Sequence, residues 1–531
     1  LQSEKLTFLR SEQKIFTWDI QQKNVLLFMK KHLVRVYPSK EQSPREEQLA
    51  WKLAMVATDY LAPISNKVTD MVVNRILDNA AVAAASLNRE PVVNARAQAL
   101  AHARTDKGAN VFGMPATFLV HAEWAAWANC VAVRELDFHD TFLAADYSHP
   151  ADSIPAIIAV AQQAGLGGSD VLRGILAAYE VHVALVKAIC LHKHKIDHIA
   201  HLCPAQAAGI CALLRLDTET TFQAIQQALH TSISTRQSRK GEISSWKAYV
   251  PGHGAKLAIE AVDRAMRGEK SPSPIYEGED SVIAWILDGP DARYEIELPE
   301  PGEAKKAILE TYTKEHSAEY QAQALIDLAI KLNPKIDNTD NIQSIVIETS
   351  HHTHYVIGTG SNDPQKFDPY ATRETLDHSI MYIFAVALQD GMWHHVNSYT
   401  PQRAQREDTV LLWKKISTEE KEKWTKLYHA EDPDKKAFGG KVIITMKDGT
   451  EIKAELERAN AHPAGEKPFD RDEYLKKFHT LTEGTLSDAE KNRFIAKATL
   501  LPQLDHQGIM QLTIEVNPAG LKPAEKKGLF E

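Results

Sequence analysis

Apolar residues recur at three- and four-residue intervals through the first half of the chain. This spacing predicts helices over 46–62, 119–136, 154–164, 170–189, 205–214 and 218–230. Start signals agree with it. Asp152 or Ser153 can cap the helix after Pro150, Ser169 and Asp170 follow Gly167 and Gly168, and Asp217 and Thr218 precede the next helix. Many of these stretches are rich in alanine and glycine, as in Trp124, Ala125, Ala126, Trp127, Ala128, so helices can approach closely around an all-α core. Ser271, Pro272, Ser273 and Pro274, followed by the acidic stretch 277–280, break the pattern and open a boundary region from Arg267 to about Ser317. Beyond it the period becomes two, with Ile342, Ser344, Val346 and Glu348 alternating against Gln343, Ile345, Ile347 and Thr349 as in a strand. Segments 441–446 and 450–456 flank Lys447, Asp448 and Gly449, a hairpin signal in which Gly449 takes positive φ. Helices over 318–332 and 378–388 complete an α+β segment, and 414–426 reads as a solvated helix face. Residues 470–497 return to helix and can rejoin the first domain, making it discontinuous.

Composition narrows what such a molecule does. The chain has 531 residues, 44% hydrophobic and 25% charged, enough for two or more domains. Its net charge of −9 offers no general attraction to nucleic acid or an anionic membrane, so an anionic ligand needs a locally basic pocket. No run of 18 apolar residues predicts a membrane span. The four cysteines, Cys130, Cys190, Cys203 and Cys211, form no C-x-x-C pair and read as small buried thiols, without disulfides, in a reducing compartment. Glu4, Glu12 and Asp19 argue against a transit peptide, and the natural start is expected at Met29. The cytoplasm is the expected location, with the mitochondrial matrix as the alternative.

Four segments concentrate chemistry. The first runs from Glu135 through Asp137, His139, Asp140 and Thr141 to His149 and Pro150, at the end of one helix and the start of the next, where side chains converge on small ligands. It can supply acid and base groups, or it can cap helices and shape a turn. In the second, His194, His198 and His201 are spaced to share one helical face, with His192 just before. Zinc is possible there, but no carboxylate ligand accompanies them, and an anion site or a solvated surface is favoured. The third carries Arg236, Arg239 and Lys247, which can bind carboxylates, before Gly252 and Gly254; it reads equally as a basic surface loop. The fourth, Arg104 to Gly113, is a glycine-containing turn with two bases. His351, His352 and His354 follow a strand and are similarly open.

Taken in order, 110–113, 122–141, His149 and Pro150, Asp197 and His198, 246–256, 317–322, 377–382 and 441–456 make the chain resemble the MmgE/PrpD family. The resemblance implies a mainly α fold, with a helical domain of 46–310 completed by 461–531, an inserted smaller α+β lid domain of 311–460, and a site between them. Residues 1–45 would be an N-terminal extension. It also implies a homodimer and metal-free, cofactor-free chemistry, with Asp137, Thr141, His149, His198 and Lys247 at pocket positions. Two departures stand out: Gln321 replaces a histidine that several members carry, and 248–251 lack one that some relatives have.

The implied reaction removes water from 2-methylcitrate to give 2-methyl-cis-aconitate, in the breakdown of propionyl units. A base must reach a carbon-bound proton, an acid the leaving hydroxyl, and cations the carboxylates. His149 and His198 are assigned to the acid–base pair without fixing which is which. Lys247 would bind substrate, helped by Arg236 and Arg239, while Asp137 and Thr141 orient imidazole and substrate. An iron–sulfur cluster wants several convergent thiolates, which the cysteine spacing does not offer. The alternatives are a cis-aconitate decarboxylase or another polycarboxylate lyase or epimerase of the family, a noncatalytic polycarboxylate-binding protein, and a zinc hydrolase built on the 194–201 histidines.

Overall fold

The computed structural model describes residues 30–41, 43–239, 243–430, 432 and 435–530. The expected start at Met29 and the acidic residues before it lie outside them. The alanine-rich stretches form the helices Leu49–Thr58, Asn66–Ser86, Glu90–Leu100, Ala122–Arg134, Ile154–Ala164, Gly168–Ala188, Ile199–Leu214, Thr218–Thr231 and Trp246–Met266. Small residues set how closely they pack. A Cβ on Gly209 would meet that of Ala178 at 2.7 Å and the Gly174 carbonyl at 2.8 Å, so glycine permits the contact between Gly168–Ala188 and Ile199–Leu214. Asp217 caps its helix as expected, accepting from the Thr220 N–H at 2.8 Å. Neither Asp152 nor Ser153 caps the helix after Pro150, and the Asp152 carboxylate turns to His139 instead.

One contact positions the site directly. Gly252 lies in the second turn of Trp246–Met266, where an added Cβ would stand 2.8 Å from the Trp127 carbonyl of Ala122–Arg134. That approach brings Lys247, in the first turn of one helix, beside the C-terminal end of the other. Gly252→Ala should therefore cost about 1–3 kcal/mol through overpacking and move Lys247. The expected outcome is a lower melting temperature with reduced turnover, measured together on the purified variant.

The C-terminal helices Arg471–Leu481 and Asp488–Thr499 bury Phe478, Leu481 and Phe494 in the core that holds Val72, Val73 and Ile76 of Asn66–Ser86. Fully buried Arg75 stitches the same region together. It donates to the Thr311 carbonyl at 3.0 Å and to Tyr474 Oη at 3.0 Å, and lies 3.6 Å from the Asp140 carboxylate.

The second half contains a four-stranded sheet in the order Glu451–Leu456, Gly440–Met446, Ile342–Thr349, Ile416–Glu420. The first two pairings are antiparallel and the last parallel. Gly449 makes the hairpin turn at φ +86°. Helices Gln323–Leu332 and Ile380–Asp390 cover one face, sharing a core with Ile345, Ile347, Val442 and Ile444.

Two expectations fail here. Residues 414–426 are not one helix: Ile416–Glu420 is the edge strand, burying Ile416 and Thr418 while Ser417 and Glu419 face out, and the helix Glu422–Tyr428 follows. Dense charge on the exposed positions hides a period of two. Residues 30–35, placed in an extension, pair antiparallel with Arg293–Leu298 from the boundary region. Lys30, Lys31 and Arg35 mask the buried Val34.

Candidate active site

The helix Ala122–Arg134 gives way to Asp137, whose φ of +49° is a left-handed conformation that aspartate tolerates. The turn folds the Asp137 carboxylate back among three cations. Oδ1 accepts from Arg134 at 2.5 Å and from Lys314 Nζ at 2.6 Å, and Oδ2 lies 3.1 Å from Lys247 Nζ. Lys247 also donates to both oxygens of Asp377, at 2.9 and 3.0 Å. Asp137, Lys247 and Lys314 are at most 2% exposed, so these charges interact with little screening from water. Burial opposes ionisation of Asp137, yet Arg134, Lys247 and Lys314 outweigh it and hold the carboxyl well below the usual range. Burial and the Lys247 ammonium push His378, whose Nδ1 donates to Asp377, down to about 4. Asp137, Asp377 and His378 could surround a metal ion, but the Lys247 ammonium already bridges the two carboxylates.

His149 follows the short strand Tyr147–Ser148 and precedes Pro150, which fixes its place at the mouth of a 3-10 turn. Its Nδ1 lies 2.8 Å from the Asp140 carbonyl, which can only accept, so Nδ1 carries hydrogen and the neutral ring keeps a lone pair on Nε2. That Nε2 faces Asp137 Oδ1 at 3.9 Å. Burial first, and the Arg134 guanidinium second, hold His149 well below 6.5, so it is neutral at pH 7. Asp140 itself supports the backbone, accepting from the Ala151 N–H and Tyr179 Oη.

His198 sits at the N-terminal end of Ile199–Leu214 and directs Nδ1 to Asp197 Oδ1 at 3.1 Å. Its Nε2 has no hydrogen-bond partner among the described residues and faces Asp152 Oδ2 at 4.0 Å. The His149 and His198 rings are 5.8 Å apart and edge-on. His139 is fully buried and contacts Asp152 Oδ1 through Nε2 at 2.8 Å.

The continuous helix on which His194, His198 and His201 would share one face does not form. His192–His194 is a 3-10 turn, and Lys195 at φ +61° breaks the chain before the helix begins. His194 then faces Asp288, while His201 donates to the Ile189 carbonyl. Thr141 donates its hydroxyl to the Ser148 carbonyl at 2.9 Å and pairs its backbone with Tyr312, so it shapes the turn presenting His149. Asn110 of the fourth segment likewise spends its side chain on the Ala116 carbonyl and on positioning the neighbouring turn.

Beside this buried cluster lies a cavity of about 340 Å³ whose lining includes Lys195, Arg236, Arg239 and Lys366 against one carboxylate, Asp363. Asp137, His149 and Lys247 are not in that lining. Two walls nevertheless reach the cluster. Arg239 lies 3.3 Å from Asp197, the partner of His198, and Lys366 donates to the His378 carbonyl at 2.8 Å. Both terminal guanidinium nitrogens of Arg239 are buried without a partner among the described residues. Arg236 packs over the Tyr147 ring at 5.1 Å. Gln321 is buried with an unpartnered amide oxygen, and its N–H donates to Glu319, which burial pushes up to about 7.

Arg134, Lys314, Asp377 and His378 are not among the residues expected at the site. An acid–imidazole pair just before the apolar run 380–388 was a usable signal for Asp377 and His378. Lys314 had none, because it lies in an aperiodic charged stretch.

The MmgE/PrpD N-terminal domain matches residues 47–295 and the MmgE/PrpD C-terminal domain matches residues 316–501. A 2-methylcitrate dehydratase, mitochondrial, of Yarrowia lipolytica is 28% identical over 334 residues, 60% of this chain and 62% of that protein. A probable 2-methylcitrate dehydratase of Saccharomyces cerevisiae is 25% identical over 347 residues, 62% of this chain and 65% of its own length. The 2-methylcitrate dehydratase of Salmonella typhi is 24% identical over 342 residues, 61% and 68% of the two lengths. The alignment thus spans less than two thirds of the first two relatives. With the two domain matches following one another across most of its length, the chain belongs to the MmgE/PrpD family.

Proposed function

We propose that this protein eliminates water from 2-methylcitrate to give 2-methyl-cis-aconitate, by acid and base side chains. One observation carries the reading: the His149 and His198 rings stand edge-on 5.8 Å apart, each with Nδ1 occupied and Nε2 free of a hydrogen bond among the described residues, in the same buried cluster as the bridging Lys247. Neutral His149 is the base. Its Nε2 takes the carbon-bound proton, and Asp137 stabilises the imidazolium that results. His198 is the acid that protonates the departing hydroxyl. Lys247 offsets charge as it develops on the carboxylate next to the deprotonated carbon, and Arg239 and Arg236 hold a distal carboxylate. Arg134 and Lys314 keep Asp137 ionised, Asp377 holds Lys247 in place, and Thr141 shapes the turn.

In this reading 46–310 and 461–531 form one helical domain and 311–460 a lid, and substrate enters where 355–366 parts from 236–239. The shared core of Phe478 and Phe494 with Val72 supports that division. A homodimer without nucleic-acid or membrane partners is part of the proposal. Among the described residues no helix is long and apolar enough to cross a membrane. We place the protein in the cytoplasm, with the mitochondrial matrix as the alternative that the Yarrowia relative's name favours.

Substrate choice is tested by offering 2-methylcitrate, citrate and cis-aconitate in parallel, following ultraviolet absorbance and released carbon dioxide. Fastest dehydration of 2-methylcitrate is expected; carbon dioxide from cis-aconitate would assign a decarboxylase, and binding without turnover a carrier. Arg239→Gln should raise KM about tenfold or more, the worth of one charged hydrogen bond of about 1.5–3 kcal/mol, with a smaller change in kcat.

A further inference from the structure

We infer that Asp146, Cys190 and His192 form a binding site for a thiophilic divalent cation of the zinc class, separate from the reacting cluster. Asp146 Oδ1 is 2.8 Å from His192 Nδ1, and Cys190 Sγ is 3.4 Å from the same nitrogen. The three ligand atoms lie within 4.8 Å of one another. Tetrahedral zinc, with bonds of about 2.0–2.3 Å, sets its ligand atoms about 3–4 Å apart. The separations in this trio, from 2.8 Å to at most 4.8 Å, bracket that spacing.

The scaffold is already arranged around the trio. Cys190 and His192 share the turn after the helix Gly168–Ala188, and Asp146 is held against that turn by the Leu191 N–H on Oδ2 at 2.8 Å. Its own N–H donates to the Val186 carbonyl. Oδ1 is thereby left facing His192. Burial, expected of all four cysteines, holds for Cys130, Cys203 and Cys211 but not for Cys190, which the turn after the helix leaves half-buried, so Cys190 is the thiol a cation can reach. A thiolate, an imidazole and a carboxylate suit zinc or cobalt and not magnesium or calcium, which take oxygen ligands.

A fourth ligand is within reach on another element. The ring of His352, on the helix His351–Val356, stands edge-on to His192 with centroids 5.3 Å apart, and its Nε2 is 2.9 Å from His429 Nε2. A cation bound by His352 as well would tie this helix to the turn at 190–192. Tyr147 stacks on His192, and the Arg236 guanidinium of the cavity wall also packs against its ring. The site thus lies behind that wall, and it does not depend on the reaction proposed above.

Cobalt(II) titrated into chelator-stripped full-length protein tests the inference. One equivalent should bind with thiolate-to-cobalt charge-transfer absorption, and zinc(II) should displace it. Cys190→Ser should abolish that absorption, and Asp146→Asn and His192→Gln should weaken cobalt binding about tenfold or more. A readout on the unmutated protein guards against misfolded variants: zinc(II) should slow alkylation of Cys190 at least tenfold, read by mass spectrometry, with Cys130, Cys203 and Cys211 as internal references. Absence of the absorption at one equivalent, its persistence in Cys190→Ser, or Cys190 alkylation indifferent to zinc would overturn the inference and leave an Asp146–His192 pair that only fixes the turn.

Discussion

His149→Asn should lower kcat by about 10²–10⁴, the usual worth of a positioned acid or base, while leaving the fold intact. Asparagine can still place an N–H on the Asp140 carbonyl, where His149 Nδ1 now donates, but it has nothing at the position of Nε2. The loss therefore falls on proton removal. Circular dichroism unchanged from wild type together with this fall in kcat is the expected pair of results; a wild-type rate would remove His149 from the chemistry. The same residue makes a pH prediction. Because His149 is held well below 6.5 it is already unprotonated there, so lowering the pH through 6.5 should not reduce kcat/KM on its account. A rate that halves near the ordinary histidine value would assign the base elsewhere.

Asp137→Asn has the second large effect, on stability as well as rate. Asparagine tolerates the left-handed φ of +49° and nearly matches the shape, so the change isolates the charge. Arg134, Lys314 and Lys247 lose a common counter-ion in a site closed to water, with Asp377 left for Lys247 alone. Breaking such buried pairing typically costs about 3–5 kcal/mol. The folded carboxyl titrates well below its unfolded value of about 4. Its contribution is therefore complete above that pH and fades as pH falls through the lower folded value. Denaturant unfolding at pH 7 should show the loss, and the difference between Asp137→Asn and wild type should shrink steadily toward pH 2. A gap that stays constant across that range would mean that packing, not charge, is responsible.

Asp137, His149, His198 and Lys247 all stand in ordered motifs of the sequence, and the fold brings the four into one buried cluster. What could not be read was closure. The Lys247 ammonium bridges Asp137 and Asp377, which lie 110 and 130 positions away in the chain, a pairing that no local pattern shows. Lys314 lies in a stretch with no period, so nothing local shows that it is buried. The spacing of the histidines at 194, 198 and 201 fits one helical face only if the helix is continuous, and Lys195 breaks it.

Periodicity served the fold best where one face is uniformly apolar. Ile154–Ala164 begins and ends where the pattern does, with Gly165 closing it at φ +76°. It served worst at edge strands, where charge faces water on alternate residues. Ile416–Glu420 and Lys30–Arg35 are both of this kind.

The proposed elimination of water from 2-methylcitrate by paired imidazoles and a lysine needs no metal centre. Lys247 already bridges the two carboxylates a metal would use, and each grouping of possible metal ligands among the described residues contains at most one thiol. The direct measurement is the initial rate of unsaturated product formation from 2-methylcitrate by enzyme treated with an iron and zinc chelator, followed by ultraviolet absorbance. A steady rate equal to that of the untreated enzyme is expected; product that appears only after iron is restored would overturn elimination by side chains alone.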